Sequence, residues 1–579
     1  MEDAPVEPAE ETPTDPQENV EDITHYPNVR RSGRATRLPE RYSAGFALQC
    51  LLGRADDPLT VEEALASDDV EHWKAAMKHE LTMINRMKTW APAFLPEGAS
   101  TVATKWVFQR KHDKKGRVKR YRARIVAKGF TQIFGVDFDE VFAPVARYTT
   151  VRYILSLCVL RRYKMFLIDV KNAFLNGTLS HKIYAIPPED FKIDPNLGNC
   201  MLLFKALYGL KQAARVWHQE LEAFLLTLEF RKSNADPTLF VYSSDTCTTF
   251  MVVYVDDILL VGDDEAFLCA VSDKITTRFN ARLEEDVSKF LGMAIEHYEN
   301  KIVIHNEFAI RRILHRFNMS SCRHAKNPLP LGLELDESMS PQTATEDAEM
   351  RHYPYQELVG ALLYLASTTR PDISYSVGLL ARYMSKPGKR HWQAAIHVVR
   401  YLAGTASLGI SYERNEEQHL TSIVGYSDAD FAGDRDGRKS TSGFVFMLAG
   451  GAVSWSSKKQ TITAQSTVEA EYIALSFAVR EGLWLRKLMA ETFLQPAKEP
   501  LDIRVDNQDS IALASNDLIS ERSKHIGIKY HLVKDVVRSG EIRVQYIPTA
   551  EMTAEVLTKL LSASRHDTNR ASLGIGQTN

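Results

Sequence analysis

Apolar residues in this chain fall into stretches of helical spacing and stretches of strand-like spacing, and the pattern begins only after about residue 58. From Val61 to Met87 the positions Ala64, Trp73, Met77, Leu81 and Ile84 suit one face of an amphipathic helix. Thr101 to Val126 reads as a basic β-ribbon turning at Lys114-Lys115-Gly116. An apolar helix over Val151 to Val159, a strand over Met165 to Val170 and a helix over Ala213 to Leu228 follow. Two runs rich in β-branched residues, Phe250-Met-Val-Val253 and Ile258-Leu-Leu-Val261, then flank Tyr254-Val-Asp256-Asp257 and predict a hairpin with adjacent carboxylates at its turn. Together these elements make an α+β domain. The polar, acidic stretch from Leu329 to about Glu349, broken by Pro330 and Pro341, reads as a linker. Tyr355 to Thr405 is mostly helical, and Thr421 to Lys559 repeats the strand-and-helix texture with acidic residues of its own.

A chain of 579 residues carries about three or four domains. Its six cysteines are scattered singles (Cys50, Cys158, Cys200, Cys247, Cys269, Cys322), which excludes a CxxC zinc site and argues against a disulfide framework. The acidic N-terminus lacks the charge pattern of a signal peptide, and no apolar run reaches membrane-span length, so an intracellular, soluble protein without a membrane partner is expected. The net charge of −3 hides a strong asymmetry: Glu2 to Asp22 holds nine acidic and no basic residues, whereas Lys105 to Lys128 holds eleven Lys/Arg against Asp113 alone. The ribbon is therefore the candidate nucleic-acid face.

Adjacent carboxylates repel one another unless cations lie between them, and one use of such a pair is nucleotidyl transfer with Mg2+. Asp169 ends the apolar strand Met165-Phe-Leu-Ile-Asp169-Val. If that strand neighbours the hairpin, Asp169 and Asp256 can bridge two metal ions with Asp257 beside them. A second set lies further on. Apolar strand residues precede Asp428 and Asp506, and Glu471 starts a helix with the period Ile473, Phe477, Leu483. Carboxylates from separate elements are what a two-metal phosphodiester hydrolase requires, because the attacking water and the leaving 3′-oxygen both need a cation.

The motifs Asp169-Val-Lys-Asn-Ala-Phe-Leu-Asn-Gly177, Leu207-Tyr-Gly-Leu-Lys-Gln-Ala-Ala-Arg-Val-Trp217 and Tyr254-Val-Asp-Asp257, in this order, resemble the reverse transcriptase of copia-type LTR retrotransposons. Arg122-Ala-Arg-Ile-Val-Ala-Lys-Gly-Phe130 and Phe142-Ala-Pro-Val145 resemble its fingers, and Phe290-Leu-Gly-Met293 its primer grip. The resemblance runs from roughly residue 60 to 560. It implies a right-hand polymerase of fingers, palm and thumb, with Asp169, Asp256 and Asp257 as catalytic metal ligands. It also implies Phe174 as a steric gate against the ribose 2′-hydroxyl, Tyr208 and Gly209 beneath the incoming nucleotide and template, and Arg122, Arg124 and Lys128 on the triphosphate. Ala214 departs from the Pro usual there.

Gly425-Tyr-Ser-Asp428-Ala-Asp430, Arg438-Lys-Ser-Thr-Ser-Gly443, Ser466-Thr-Val-Glu469-Ala-Glu471-Tyr, Val505-Asp506-Asn-Gln508, Lys524-His-Ile526 and Thr553-Ala-Glu555-Val-Leu-Thr-Lys559 resemble the RNase H domain of the same family. The resemblance implies an α/β RNase H-like fold with Asp428, Glu471 (preferred to Glu469) and Asp506 as metal ligands. Glu555 would be the fourth catalytic acid, where the family usually has Asp, and Gly527 also departs from a common Asp. Tyr353-Pro-Tyr-Gln-Glu-Leu-Val-Gly360 and Thr369-Arg-Pro-Asp-Ile373 resemble the connection region.

The expected organisation is thus a disordered linker at 1–58, reverse transcriptase at 59–330, linker and connection region at 331–420, RNase H at 421–562 and a C-terminal tail at 563–579. The expected activity is that of an RNA-directed DNA polymerase with RNase H, using two Mg2+ per site, replaceable by Mn2+. Expected partners are an RNA template, a DNA or tRNA primer, RNA/DNA hybrid, dNTPs and other Gag-Pol products. The expected location is cytoplasmic, within virus-like particles, with passage to the nucleus. The alternative is a decayed or domesticated copy that binds nucleic acid without catalysis.

Overall fold

A computed structural model describes residues 57–112, 117–188, 190–414, 423–493, 499–515 and 527–577. The N-terminal segment to residue 56, the ribbon turn Lys114-Lys115-Gly116 and the motif Lys524-His-Ile526 lie outside the described residues. Four sheets organise the described residues. The first runs in the order Trp90–Ala93, Cys200–Lys205, Thr178–Ile186, Thr101–His112, Val118–Ala127, and its last two strands are the basic ribbon. Helices Val61–Ala66 and Val70–Arg86 cover it, with Trp73 and Ile84 fully buried against Phe108 and Ile125.

The second sheet has the order Ala281–Glu284, Lys164–Val170, Asp257–Gly262, Thr248–Tyr254, Leu239–Ser243, Arg231–Lys232. The strands Thr248–Tyr254 and Asp257–Gly262 are buried on both faces, which explains why they read as continuous apolar runs rather than alternating ones. Helices Ala213–Thr227 and Glu265–Phe279 pack on one face. The other face holds helix Tyr148–Arg161, in which every residue from Thr150 to Leu160 is buried. A helix apolar all round must be enclosed on all sides. Its far side is covered by the third sheet and by strand Gly451–Lys459 of the fourth sheet.

That fourth sheet has the order Gly451–Lys459, Thr441–Leu448, Val424–Ala429, Leu501–Val505, Ile542–Tyr546, the first three antiparallel and the last two joined in parallel. Helix Thr467–Thr492 lies across it. Mixed pairing of this kind, with a helix crossing the sheet, makes this an α/β unit.

The third sheet corrects two expectations. Its order is Lys289–Phe290, Met293–Tyr298, Lys301–His305, Leu408–Glu413, Ile575–Gln577, so it draws on three segments far apart in sequence. Residues 563–577, read as a tail, form helix Ala563–Ser572 and the edge strand Ile575–Gln577. Leu573 and Ile575 are buried, which the polar composition before them concealed. The stretch read as a linker after Leu329 is also ordered: Leu335 is buried with its carbonyl accepting from the Tyr383 hydroxyl at 2.8 Å, and helix Ala344–Met350 carries a capping box of Thr343 and Glu346. Beyond it, helices Tyr355–Thr368, Ser374–Ala381 and Lys389–Gly404 form a helical core. Among the described residues no helix is long and apolar enough to cross a membrane.

Candidate active sites

Asp169 stands directly opposite Asp257 in antiparallel register, so the strand carrying the first acid is the immediate neighbour of the hairpin. Asp257 also faces Tyr254 across the hairpin, which leaves Val255 and Asp256 as a two-residue turn. Val255 has φ of 54°, a region that costs a β-branched residue on the order of 1–3 kcal/mol. The turn is held from two sides: buried Trp217 donates from Nε1 to the Val255 carbonyl at 2.5 Å, and the Val170 N–H donates to the Asp256 carbonyl at 2.8 Å.

Burial, followed by Asp256, Asp169 and Glu284, pushes the Asp257 carboxyl up to about 7, with Lys289 opposing. Asp256 is raised by burial and by Asp169, and is drawn back by Arg124 and Arg122. These arginines alternate on strand Val118–Ala127, and the ribbon register sets Arg122 opposite Gln109 and Arg120 opposite Lys111, on the same face. The Lys111 ammonium is pushed down by partial desolvation and by Arg122 and Arg124, although the residue keeps much of its surface in water; Asp256 acts on it in the opposite sense. Lys111 and Lys289 therefore belong to the charged cleft, and neither was assigned from the sequence. The period-two alternation of the ribbon could have revealed Lys111; Lys289 is brought in only by the fold.

Tyr208 links these parts. The Arg124 guanidinium lies 4.2 Å from its ring centre and Nη2 donates to its hydroxyl at 3.3 Å, while the Phe174 ring meets it edge-on at 5.0 Å. Gly209 has φ of 90°, and a Cβ there would stand 2.1 Å from the Ala127 carbonyl oxygen, so only glycine lets the loop close on the ribbon. Lys128 is fixed by its backbone, whose N–H donates to the Ala103 carbonyl at 2.8 Å. Ala214 lies in the first turn of helix Ala213–Thr227, just after Gln212, which is buried and donates to the Asp137 carbonyl at 2.8 Å. Replacement of the usual proline therefore leaves that turn anchored.

The second acidic set converges more tightly. Asp428 is on strand Val424–Ala429, Glu471 is in the first turns of helix Thr467–Thr492, and Asp506 follows strand Leu501–Val505. Their ligand atoms all lie within 4.8 Å of one another, and no other described His, Cys, Asp or Glu residues form such a group. The carboxylates of Asp169, Asp256 and Asp257 are not drawn together to that degree. Burial pushes Asp428 up to about 6, and burial with repulsion from Asp428 and Asp506 pushes Glu471 up to about 9. Glu471 Oε2 is buried without a hydrogen-bond partner. Three converging oxygen donors with an orphaned buried oxygen fit a hard divalent cation. Glu469, by contrast, caps its own helix: it accepts from Gln465 N at 2.7 Å, and its N–H donates to Ser466 Oγ at 3.2 Å.

Glu555 stands outside this group, contrary to its expected role as a fourth ligand. Arg565 Nε holds its Oε2 at 2.6 Å, and Lys559 Nζ approaches its Oε1 at 3.7 Å and Asp428 Oδ2 at 3.6 Å. Thr558 donates its hydroxyl to Asp428. The helical turn Thr553–Leu557 that carries Glu555 leads directly to Thr558 and Lys559, which are the residues that meet Asp428. Their spacing one turn after Glu555 is visible in the sequence, but their partners are not. Gly527 begins helix Gly527–Arg538.

A hairpin of paired carboxylates beside a basic ribbon is the arrangement that the resemblance to reverse transcriptases implies. The family of reverse transcriptases (RNA-dependent DNA polymerases) matches residues 87–330. The chain is 35% identical over 554 residues to the retrovirus-related Pol polyprotein from transposon TNT 1-94 of Nicotiana tabacum, covering 95% of this chain and 41% of that relative. It is 33% identical over 315 residues to the putative transposon Ty5-1 protein of Saccharomyces cerevisiae, covering 54% of this chain and 99% of that one. This chain belongs to the copia-type retrotransposon Pol polyproteins, and spans 41%, 35% and 36% of the length of the tobacco relative and of two Arabidopsis thaliana relatives from transposons RE1 and RE2. Among solved structures, native prototype foamy virus protease-reverse transcriptase is 12% identical with a TM-score of 0.22, covering 85% of this chain and 55% of that one. LC11-RNase H1 in complex with RNA/DNA hybrid is 16% identical with a TM-score of 0.19, covering 24% and 93%.

Proposed function

We propose that this chain copies primed RNA into cDNA at Asp169, Asp256 and Asp257, and degrades the RNA of the resulting hybrid at Asp428, Glu471 and Asp506. The observation that carries this reading is the presence of two carboxylate sets, each at the end of its own sheet. In this reading the first sheet forms the fingers, the second the palm, and the segments around the third sheet and the helical core the thumb and connection. The substrates are an RNA template, a DNA or tRNA primer and dNTPs, and the setting is a cytoplasmic virus-like particle with other Gag-Pol products.

Divalent cations, taken here as Mg2+, would supply activation of the attacking oxygen and stabilisation of the leaving one at each site. The chain's own residues do the rest. Arg122, Arg124 and Lys111 present positive charge to the triphosphate through charge-assisted hydrogen bonds. Tyr208, braced by Arg124, supports Phe174 where a 2′-hydroxyl would clash. At the second site Thr558 and Lys559 orient Asp428.

Separation of function tests the proposal. Asp256→Asn should abolish primer extension on RNA while sparing cleavage of a preformed hybrid, and Asp428→Asn should do the reverse. Near-wild-type extension by Asp256→Asn would show the polymerase assignment to be wrong. A copy that only binds nucleic acid would do neither reaction.

A further inference from the structure

The margin of the second acidic site carries two basic side chains as well as a fourth carboxylate. Asp428, Glu471 and Asp506 converge, and Glu555 stands further out between Lys559 and Arg565. Arg565 Nε holds Glu555 Oε2 at 2.6 Å, and the same guanidinium donates to the carbonyls of Thr549 at 2.6 Å and of Ala550. The helix that carries Arg565, Ala563–Ser572, is itself anchored, because His566 Nε2 meets the Asp372 carbonyl of the helical core at 3.0 Å. Glu555 therefore cannot turn toward the triad without leaving a guanidinium that is fixed by two further carbonyls.

Lys559 occupies the gap that Glu555 leaves. Its Nζ lies 3.6 Å from Asp428 Oδ2 and 3.7 Å from Glu555 Oε1, so it bridges a member of the triad and the carboxylate outside it. Asp428, Glu555, Asp506 and Glu471 all act on this ammonium. A second Mg2+ between Asp428 and Glu555 would need their oxygens at about 2.0–2.1 Å. Reaching that geometry means expelling Lys559 and pulling Glu555 off Arg565. Charge points the same way. With the carboxylates ionised around a bound metal, they carry four negative charges, Lys559 and Arg565 return two, and one divalent cation balances the remainder. A second would leave this largely buried site with an uncompensated positive charge, which is costly away from water.

We propose that the site formed by Asp428, Glu471 and Asp506 holds one divalent cation, and that the Lys559 ammonium, kept in place by Glu555 and Arg565, stands in for a second. This replaces the two Mg2+ that the resemblance implies at this site. The charge that a second cation would bring to the scissile phosphate comes instead from a fixed side chain and needs no second binding event. The inference rests on the two-activity reading above and narrows its use of cations at this site.

The test counts bound Mn2+ on the full chain by electron paramagnetic resonance, and follows hybrid cleavage against free Mg2+ on the same preparations. The wild-type protein should hold one more Mn2+ than Asp428→Asn, which removes a triad ligand, and its cleavage below saturation should rise in simple proportion to free Mg2+. Lys559→Met should bind one Mn2+ more than the wild type. It should cleave about a hundredfold more slowly at low Mg2+, as expected for loss of a charged group that stabilises the transition state, and recover at high Mg2+ with a rate that rises as the square of its concentration. Lys559→Arg, which keeps the charge, should match the wild type in Mn2+ count and in Mg2+ dependence. A wild-type count that exceeds that of Asp428→Asn by two or by none overturns the proposal, as does a count for Lys559→Met equal to the wild type. If Lys559→Met does not fold, the comparison of wild type with Asp428→Asn decides the matter. One Mn2+ lost in Asp428→Asn without any Asp428-dependent cleavage supports the single cation and overturns the nuclease reading instead.

Discussion

Phe174 shows how the neighbours of one side chain bear on the role proposed for it. By pattern it is one apolar residue in Ala173-Phe-Leu-Asn176; in the fold it is half-buried, edge-on to Tyr208, which is itself pinned beneath Arg124. Phe174→Val should admit ribonucleotides in single-nucleotide insertion, with dNTP insertion falling less; unchanged discrimination would return Phe174 to the core. Glu80 is the other informative residue at this scale. It is buried against the ribbon, accepts from Ile125 N at 3.4 Å, and is held above its ordinary carboxylate pKa by burial, despite Arg124 and Arg122. A carboxyl whose folded pKa is raised adds stability below its unfolded value and loses that contribution as pH rises through the folded value. The melting temperature of Glu80→Gln relative to wild type should therefore climb as pH is raised from about 4 toward neutrality. A difference that stays flat or falls with pH would contradict this.

At the scale of elements, the basic ribbon and the helical core make opposite uses of charge. Arg117, Lys119 and Arg120 are exposed beyond the part of the ribbon that faces Asp256. Neutralising all three should flatten the log–log salt dependence of duplex binding by roughly 0.9 for each phosphate that the ribbon then leaves without a counter-charge. An unchanged slope would make that end of the ribbon a solvated face. In the helical core, Arg370 and Asp372 are both fully buried. Arg370 binds Asp372 at 2.9 and 2.7 Å, Tyr401 donates to Asp372 at 2.7 Å, and the Asp372 carbonyl meets His566 Nε2 at 3.0 Å. Asp372→Asn leaves a buried arginine without its counter-charge and should cost about 3–5 kcal/mol, measured by chemical denaturation. A loss below about 1 kcal/mol would mean that Arg370 finds other partners.

On the scale of the whole molecule, the continuous core from the second sheet to the fourth should couple the unfolding of the two. Calorimetry should show a single transition spanning both units, and Asp428→Asn, a change at one end, should move that whole transition. Two resolved transitions would show that the interface is weaker than its burial implies. The sequence by itself determined much of this protein. Strand and helix positions, the carboxylate hairpin, Asp169 at its strand end and the acidic sets were legible because period, β-branching and turn chemistry act over a few residues. Asp428, Glu471 and Asp506 each adjoin a local apolar pattern, but it was the family resemblance that singled them out. What tertiary structure alone decided depends on contacts between distant segments, which leave no local period. It ordered the stretch after Leu329, recruited Ile575–Gln577 into a sheet with Leu408–Glu413, and brought Lys289 near Asp257. It turned Glu555 toward Arg565, because the free energy of an ion pair depends on where two helices meet and not on the spacing within either. It also gave Arg152 its setting: the residue reads as one charge in an apolar helix, and only the fold supplies the three carbonyls that make its burial tolerable.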